Sequence, residues 1–460
     1  AMLAFVTSFR RLAPRLAGSR LLSTGSSNYP PGLKATDENL GNLGDVAKAG
    51  SLHEFLTDLH SRFGPIVSFY WGKQLVTSAG SPKVFAQTRS LFDRPVMLFE
   101  LFQPLIGNSS IQFANFEDGR RRRKTYDPAF SNRAVRDLHP TFEQWASEEL
   151  EEIRRSAGTP FNLHAMSLNS ALNIFCRTTY GLRLSHAEMD SLREAYNFCW
   201  HDMEIRLGGS QPEPGSERQA KFESHRSLIQ TTLLRAEPGM SEFVDRVTAA
   251  NLPEQQLRDE MITYFVGGLH TSGNLLCWAL YFVASHPEVQ AKLHEELDRV
   301  MGDRAIPNQD DVKSGGLPYL AAVIKESLRC SVLAPWAARF STDEVTIDGY
   351  QIPPNTPIIQ ALGVVLQDPA IWPEPLKFDP NRFIDIPADR ERLAYPPFGF
   401  AGTRVCPGQR FTNVEATVLM GAMLKEFRVS LAPGQAEVTR EYGLVTSPKE
   451  QIDFVATPRS

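Results

Sequence analysis

The segment Phe398-Gly399-Phe400-Ala401-Gly402-Thr403-Arg404-Val405-Cys406-Pro407-Gly408 sets a lone cysteine in a glycine-rich loop, with one arginine two residues before it. An apolar helical pattern (Phe411, Val414, Val418, Leu419, Leu424) follows at once. That setting suits a thiolate ligand to haem iron. Backbone amides are free to donate to the sulfur, glycines let the chain approach a flat macrocycle, and a helix N-terminus favours negative charge. The other four cysteines, Cys176, Cys199, Cys277 and Cys330, read as buried apolar thiols.

A second group of reactive side chains falls on the longest helix the pattern predicts, which begins after Pro253 and ends before Pro287. About 30 residues at roughly 1.5 Å each would cross a whole domain of this size. Its middle, Met261 to Ala284, is strongly apolar, yet Thr263, His270, Thr271, Ser272 and Asn274 interrupt it. Gly267, Gly268 and Gly273 remove bulk at one level. Each glycine costs a helix about 1 kcal/mol, so three together ask for a reason, and a flat ligand lying against the helix would supply one.

Together these residues resemble the cytochrome P450 superfamily of haem-thiolate monooxygenases, over about residues 30 to 455. The resemblance implies haem b as cofactor, Cys406 as the axial iron ligand and Arg404 as partner of a haem propionate, with Gly402 and Gly408 shaping the loop. The family's usual phenylalanine lies seven residues before the cysteine, where this chain has Gly399 with Phe398 and Phe400 on either side. One of those two rings is expected to cover the sulfur.

Glu326-Ser327-Leu328-Arg329 matches the family's E-x-x-R helix, and Pro380-Asn381-Arg382-Phe383 its later arginine motif. A spacing of three puts Glu326 and Arg329 on one helical face, and Arg382 could complete a charge-compensated triad. Arg339 sits where the family places another propionate partner. The run Phe113 to Lys124 resembles the W-x-x-x-R helix, with Arg123 as the arginine but Gly119 in place of the tryptophan, so that one propionate hydrogen bond is expected to be missing. Some of the cations Arg120 to Lys124 are expected to face haem and others an acidic redox protein.

On the long helix, Gly267-Gly268-Leu269-His270-Thr271-Ser272 resembles the oxygen-activation motif. Catalytic roles thereby fall to Gly268, His270 and Thr271, the threonine hydrogen-bonding dioxygen at the iron and passing protons to it. His270 replaces the family's acid and, as a histidine, could relay protons near neutral pH. By analogy the substrate pocket is walled by Phe99, Phe102, Leu105, Phe113, Leu269, Trp336, Ala337, Val445 and Thr446. Such a lining suits a sterol, fatty acid or xenobiotic. Within the superfamily the likeness points to animal family 20, carried by Gly50 to Leu56, Ala361 to Pro369 and Leu444 to Ser447.

With 460 residues, 42% hydrophobic and 22% charged, the chain can bury a large core around a cofactor, and nothing in it reads as a linker or repeat. The predicted fold is mainly α with a small β part, a single large cytochrome P450 domain over residues 28–460. A helix is predicted from Ser51 to Arg62 behind a capping pair, Ser51 and Glu54, a hairpin from Pro65 to Val76, and one long strand from Val345 to Ile358. A net charge of −5 speaks against nucleic acid as partner. Residues 1–27 alternate arginines with apolar residues, and no acid precedes Asp37. They read as a presequence or a membrane-associating segment, predicting a mitochondrial membrane-associated protein with peripheral membrane contact, or alternatively one on the endoplasmic reticulum membrane.

No flavin or nicotinamide motif is visible, so electrons would come from a ferredoxin with its reductase or from NADPH-cytochrome P450 reductase. The predicted activity is insertion of one oxygen atom from O2 into a hydrophobic small molecule. A haem-thiolate isomerase or lyase, and a non-catalytic haem or gas-binding protein, stand as alternatives.

Overall fold

The computed structural model describes residues 28–207, 210–313, 315–400 and 402–459. The presequence-like segment 1–27 lies outside them. Ten principal helices follow one another in the chain: α1 (Leu52–Phe63), α2 (Phe116–Tyr126), α3 (His139–Arg155), α4 (Leu163–Thr179), α5 (His186–Leu207), α6 (Glu217–Leu233), α7 (Glu254–Ser285), α8 (Pro287–Met301), α9 (Pro318–Ser331) and α10 (Gln409–Glu426). The strands are short: β1 (Ile66–Trp71), β2 (Gln74–Ala79), β3 (Phe161–Asn162), β4 (Ala337–Arg339), β5 (Val345–Ile347), β6 (Tyr350–Ile352), β7 (Ile358–Gln360), β8 (Phe427–Leu431), β9 (Arg440–Tyr442), β10 (Thr446–Pro448) and β11 (Asp453–Pro458).

The capping pair starts α1: the Glu54 amide donates to Ser51 Oγ at 3.1 Å, and the Ser51 hydroxyl donates to Glu54 Oε2 at 2.9 Å. The β1–β2 hairpin pairs Trp71 with Gln74, leaving a two-residue turn in which Gly72 takes φ +59°. β7 joins this hairpin parallel to β2, and β4 pairs antiparallel with β7, which fixes the end of β4, Arg339, over the helical body.

The predicted strand from 345 to 358 is three strands. Asp348 and Gly349 both take positive φ (50° and 86°) and turn β5 back onto β6. Pro353, Pro354 and Pro357, which cannot donate to a ladder, separate β6 from β7.

α7 runs 32 residues between Pro253 and His286, or about 48 Å, through the centre of the main hydrophobic core. The three glycines do not share a purpose. A Cβ on Gly268 would sit 2.2 Å from the Phe175 ring, and one on Gly273 would sit 2.7 Å from Leu168, so both let α4 pack closely. Nothing lies within 4 Å of a Cβ on Gly267. Only that glycine opens space for a ligand. A smaller core under the sheet contains Phe55, Leu59, Val67, Phe69, Val76 and Ile359, and Phe102 and Phe113 touch both cores. Among the described residues no helix is long and apolar enough to cross a membrane.

Candidate active site

The cysteine loop closes on itself where the Cys406 amide donates to the Phe398 carbonyl at 3.0 Å. Gly399 (φ +91°) and Gly402 (φ +40°) supply left-handed turns, and a Cβ on Gly402 would come within 2.9 Å of the Arg89 carbonyl. Burial pushes the Cys406 thiol up, while the Gly408 amide donating to its sulfur and the Arg123 guanidinium pull it back down. Of the five cysteines, Cys406 alone is accessible, whereas burial pushes the thiols of Cys176, Cys199 and Cys330 up to about 12. Of the rings flanking Gly399, Phe400 packs on Phe85 at 5.6 Å in the sheet-side cluster. Phe398 packs on the helical core, and its carbonyl holds the cysteine amide.

Four guanidinium groups converge beside this loop. Arg404 donates to the carbonyls of Ile111 (3.1 Å) and Ala114 (3.0 Å), and its Nε and Nη1 have no partner. Arg339 donates to the Ala338 carbonyl at 2.6 Å, and its Nε is also unpaired. Arg123 reaches the Val405 carbonyl and pairs with Asp127 at 2.7 Å. Arg94, half-buried in the loop ahead of Pro95, donates to Gln112 and leaves its Nε free. Burial, reinforced by mutual repulsion, pushes Arg339 down to about 9 and Arg404 to about 10. Converging cations, two buried and two half-buried, with unpaired donors fit an anion of more than one charge, as the two propionates of haem are. Arg94 carries no motif in the sequence. The structure brings it here because the Phe340 amide donates to the Asp93 carbonyl (2.9 Å), stitching its loop to the strand residue next to Arg339.

Gly119 has a steric cause. A Cβ there would lie 2.4 Å from the Ala114 carbonyl oxygen and 3.0 Å from the Phe92 ring. Phe92 fills the space a side chain at 119 would need, with the guanidinium carbons of Arg404 and Arg120 each 4.6 Å from its ring centre. On the same helix Arg122 turns inward to Glu260 (2.9 Å) and Asp118 (2.7 Å), while Arg120, Arg121 and Lys124 face outward.

On α7 the Thr271 hydroxyl donates to the Gly267 carbonyl at 2.8 Å, so hydroxyl and open glycine share one side of the helix. Leu269 is a correction to the predicted pocket wall: it lies on the opposite side, buried in the main core. Gly268 likewise faces α4, away from that side. Thr446 is also removed from the wall, its hydroxyl donating to the Val332 carbonyl at 2.6 Å inside the core. His270 is buried between Trp200 (ring centres 4.2 Å) and Tyr196 (5.3 Å) of α5. Burial, helped by nearby His164, pushes its pKa down to about 3. At neutral pH this imidazole is uncharged, and it packs against α5.

The remaining predicted side chains divide between scaffold and wall. Arg329 binds Glu326 through two hydrogen bonds (2.7 and 2.9 Å), Arg382 approaches the same carboxylate at 3.3 Å, and Arg329 also donates to the Leu366, Pro375 and Lys377 carbonyls. Phe99 stacks on Trp336 at 5.7 Å, and Val445 is partly buried against the main core. Buried acids escaped the sequence reading, Glu415 among them. Glu415 lies buried on α10, and burial, partly offset by the Ser272 hydroxyl, pushes it up to about 8.

The sequence profile described as "Cytochrome P450" matches residues 30–207 and 213–454. The chain belongs to the cytochrome P450 family. Proteins named Cytochrome P450 20A1 from Rattus norvegicus and Homo sapiens are 31% identical over 441 residues and 30% over 447, covering 93% of this chain and of each relative. Cytochrome P450 2J5 of Mus musculus is 25% identical over 471 residues, 93% of this chain and 91% of the relative. As a cytochrome P450 the protein is a haem-thiolate monooxygenase, an oxidoreductase with cysteine-ligated haem b.

Proposed function

We propose that Cys406 would supply the thiolate that holds the haem, and that this P450 oxygenates a hydrophobic small molecule, a sterol, fatty acid or xenobiotic. One observation carries the reading: an accessible sulfur lies beside converging guanidinium groups whose Nε atoms, on Arg94, Arg339 and Arg404, have no partner. Those arginines, with Arg123, would hold the propionates, and the Gly408 amide would stabilise the thiolate. Haem, when bound, supplies activation of O2 and insertion of one oxygen atom. Gly267 leaves room on the far wall, and Thr271 Oγ1, whose proton is donated to the Gly267 carbonyl, lies on the same side of the helix. Phe99, Phe102, Phe113, Trp336 and Val445 orient an apolar substrate and exclude water.

The outward cations Arg120, Arg121 and Lys124, beside half-exposed Phe116, suit an acidic electron donor, either a ferredoxin with its reductase or NADPH-cytochrome P450 reductase. The arginine-rich, acid-free first 27 residues support a mitochondrial membrane association, with the endoplasmic reticulum as the alternative.

The test is spectroscopic. Ferrous protein with carbon monoxide should show the red-shifted Soret band of thiolate ligation, and Cys406→Ser should abolish it. A histidine-type spectrum in the unaltered protein would overturn the assignment. Screening apolar compounds for those that displace iron-bound water and shift the haem spectrum then identifies the substrate class without a redox partner.

A further inference from the structure

The first turns of α7 carry two adjacent buried acids, Asp259 and Glu260, that the chemistry above leaves unused. Both reach one segment, the chain from Leu105 to Asn115. Asp259 Oδ2 accepts the Ser109 amide at 3.0 Å, and Glu260 Oε2 accepts the Ile111 amide at 2.9 Å. Gly107, at φ +76°, lays its backbone flat on the Asp259 carboxyl, where a Cβ would come within 2.1 Å of the carboxyl carbon.

Two arginines from other helices close the arrangement. Arg122 of α2 pairs with Glu260 at 2.9 Å and also donates to the Ser109 carbonyl. Arg226 of α6 lies 3.7 Å from Asp259 and donates to the Leu105 carbonyl at 2.9 Å. The segment so held has two duties. Its Ile111 and Ala114 carbonyls grip Arg404, and its Phe113 lies between the two cores on the proposed pocket wall.

We propose that Asp259 and Glu260 are positioning residues that latch the 105–115 segment over the substrate chamber, setting its affinity for large apolar ligands. The proposal rests on the reading of Cys406 and the chamber given above. Adjacent carboxylates each bound to a backbone amide and to an arginine form a buried network that fails as a unit, since removing one partner leaves the others unpaired. Loss of the latch frees the wall of the chamber, while the Cys406 loop keeps its own closing bond to the Phe398 carbonyl and Arg339 and Arg123 keep their own anchors.

The test compares two haem ligands on the full-length holoprotein, imidazole as a small reporter of iron access and clotrimazole as a bulky reporter of the chamber. Glu260→Ala and Asp259→Ala should keep the thiolate carbon monoxide band and bind imidazole within twofold of the parent. Clotrimazole should bind at least tenfold more weakly, and amide hydrogen exchange at Ser109 and Ile111 should quicken by more than tenfold. Asp259→Asn, which keeps an acceptor for the Ser109 amide, should recover most of both effects. Should an alanine variant fail to accumulate folded, Arg226→Met, at a partly exposed position, takes its place with the same expected direction. Equal weakening for both azoles, or unchanged exchange at 109 and 111, refutes the latch. Absence of the thiolate band in the parent protein refutes the underlying reading instead.

Discussion

Restoring a side chain at position 119, where the family carries tryptophan, should harm this protein. In an open helix interior Gly→Ala gains about 1 kcal/mol. Here the new Cβ would fall 2.4 Å from the Ala114 carbonyl oxygen, which belongs to backbone and accepts from Arg404. Overpacking of this kind costs about 1–3 kcal/mol, and displacing an acceptor from a buried guanidinium adds about 1.5–3 kcal/mol. We therefore expect Gly119→Ala to destabilise by about 1.5–5 kcal/mol net, toward the lower end where loop movement relieves part of the strain. Gly119→Trp should do more damage, because Phe92 already fills the space. The assay is denaturant unfolding of haem-loaded protein, paired with haem loss to an excess of a haem-scavenging apoprotein. If Gly119→Ala gains about 1 kcal/mol, as an unobstructed helix would, and retains haem as the parent does, the steric argument is wrong.

Arg94→Ala should speed haem loss severalfold while leaving the position of the thiolate carbon monoxide band unchanged, read in the same scavenging assay; an unaltered rate would remove Arg94 from the propionate group. His270, held near 3 against an unfolded value of 6.5, binds no proton where the unfolded chain does, so stability falls as pH drops below 6.5. The loss from this residue should be about 2 kcal/mol at pH 5, seen as an acid-side slope in denaturation midpoints that His270→Phe flattens. Glu415 works in the opposite sense: it stays protonated when folded up to about 8, so stability declines as pH rises from 4.5 toward 8. Glu415→Gln should relieve up to about 3 kcal/mol of that decline at pH 7, and an unchanged alkaline slope would mean that the carboxyl is ionised in place. Thr271→Ala should uncouple electron consumption from product formation, measured as peroxide released per reducing equivalent; retained coupling would show that its hydroxyl serves only the bond to Gly267.

Chemistry that depends on local spacing was readable from the chain alone. Cys406 with Arg404 two residues before it, the Glu326–Arg329 pair one helical turn apart, and the proline-bounded α7 all follow from nearest-neighbour geometry, and the structure places them accordingly. The β1–β2 turn at Gly72 and the Ser51 cap belong to the same class. What the pattern blurred was purpose within an element. Three glycines on one helix look alike in sequence, yet Gly268 and Gly273 serve contact with Phe175 and Leu168, and Gly267 alone faces open space. The span from 345 to 358 has the composition of one strand, but positive φ at Asp348 and Gly349 folds it back.

Residue types and short-range spacing thus determined a thiolate loop, a helical body and a small peripheral sheet, because those depend on bonds closed within a few residues. Tertiary packing alone decided which cations gather around the cofactor site, bringing Arg94 there through a strand bridge some 250 residues away in sequence. It also decided that His270 is neutral and Glu415 protonated at pH 7, because desolvation comes from neighbours on other helices. Charge state and facing direction belong to the surroundings of a side chain, and those surroundings exist only once distant segments have packed together.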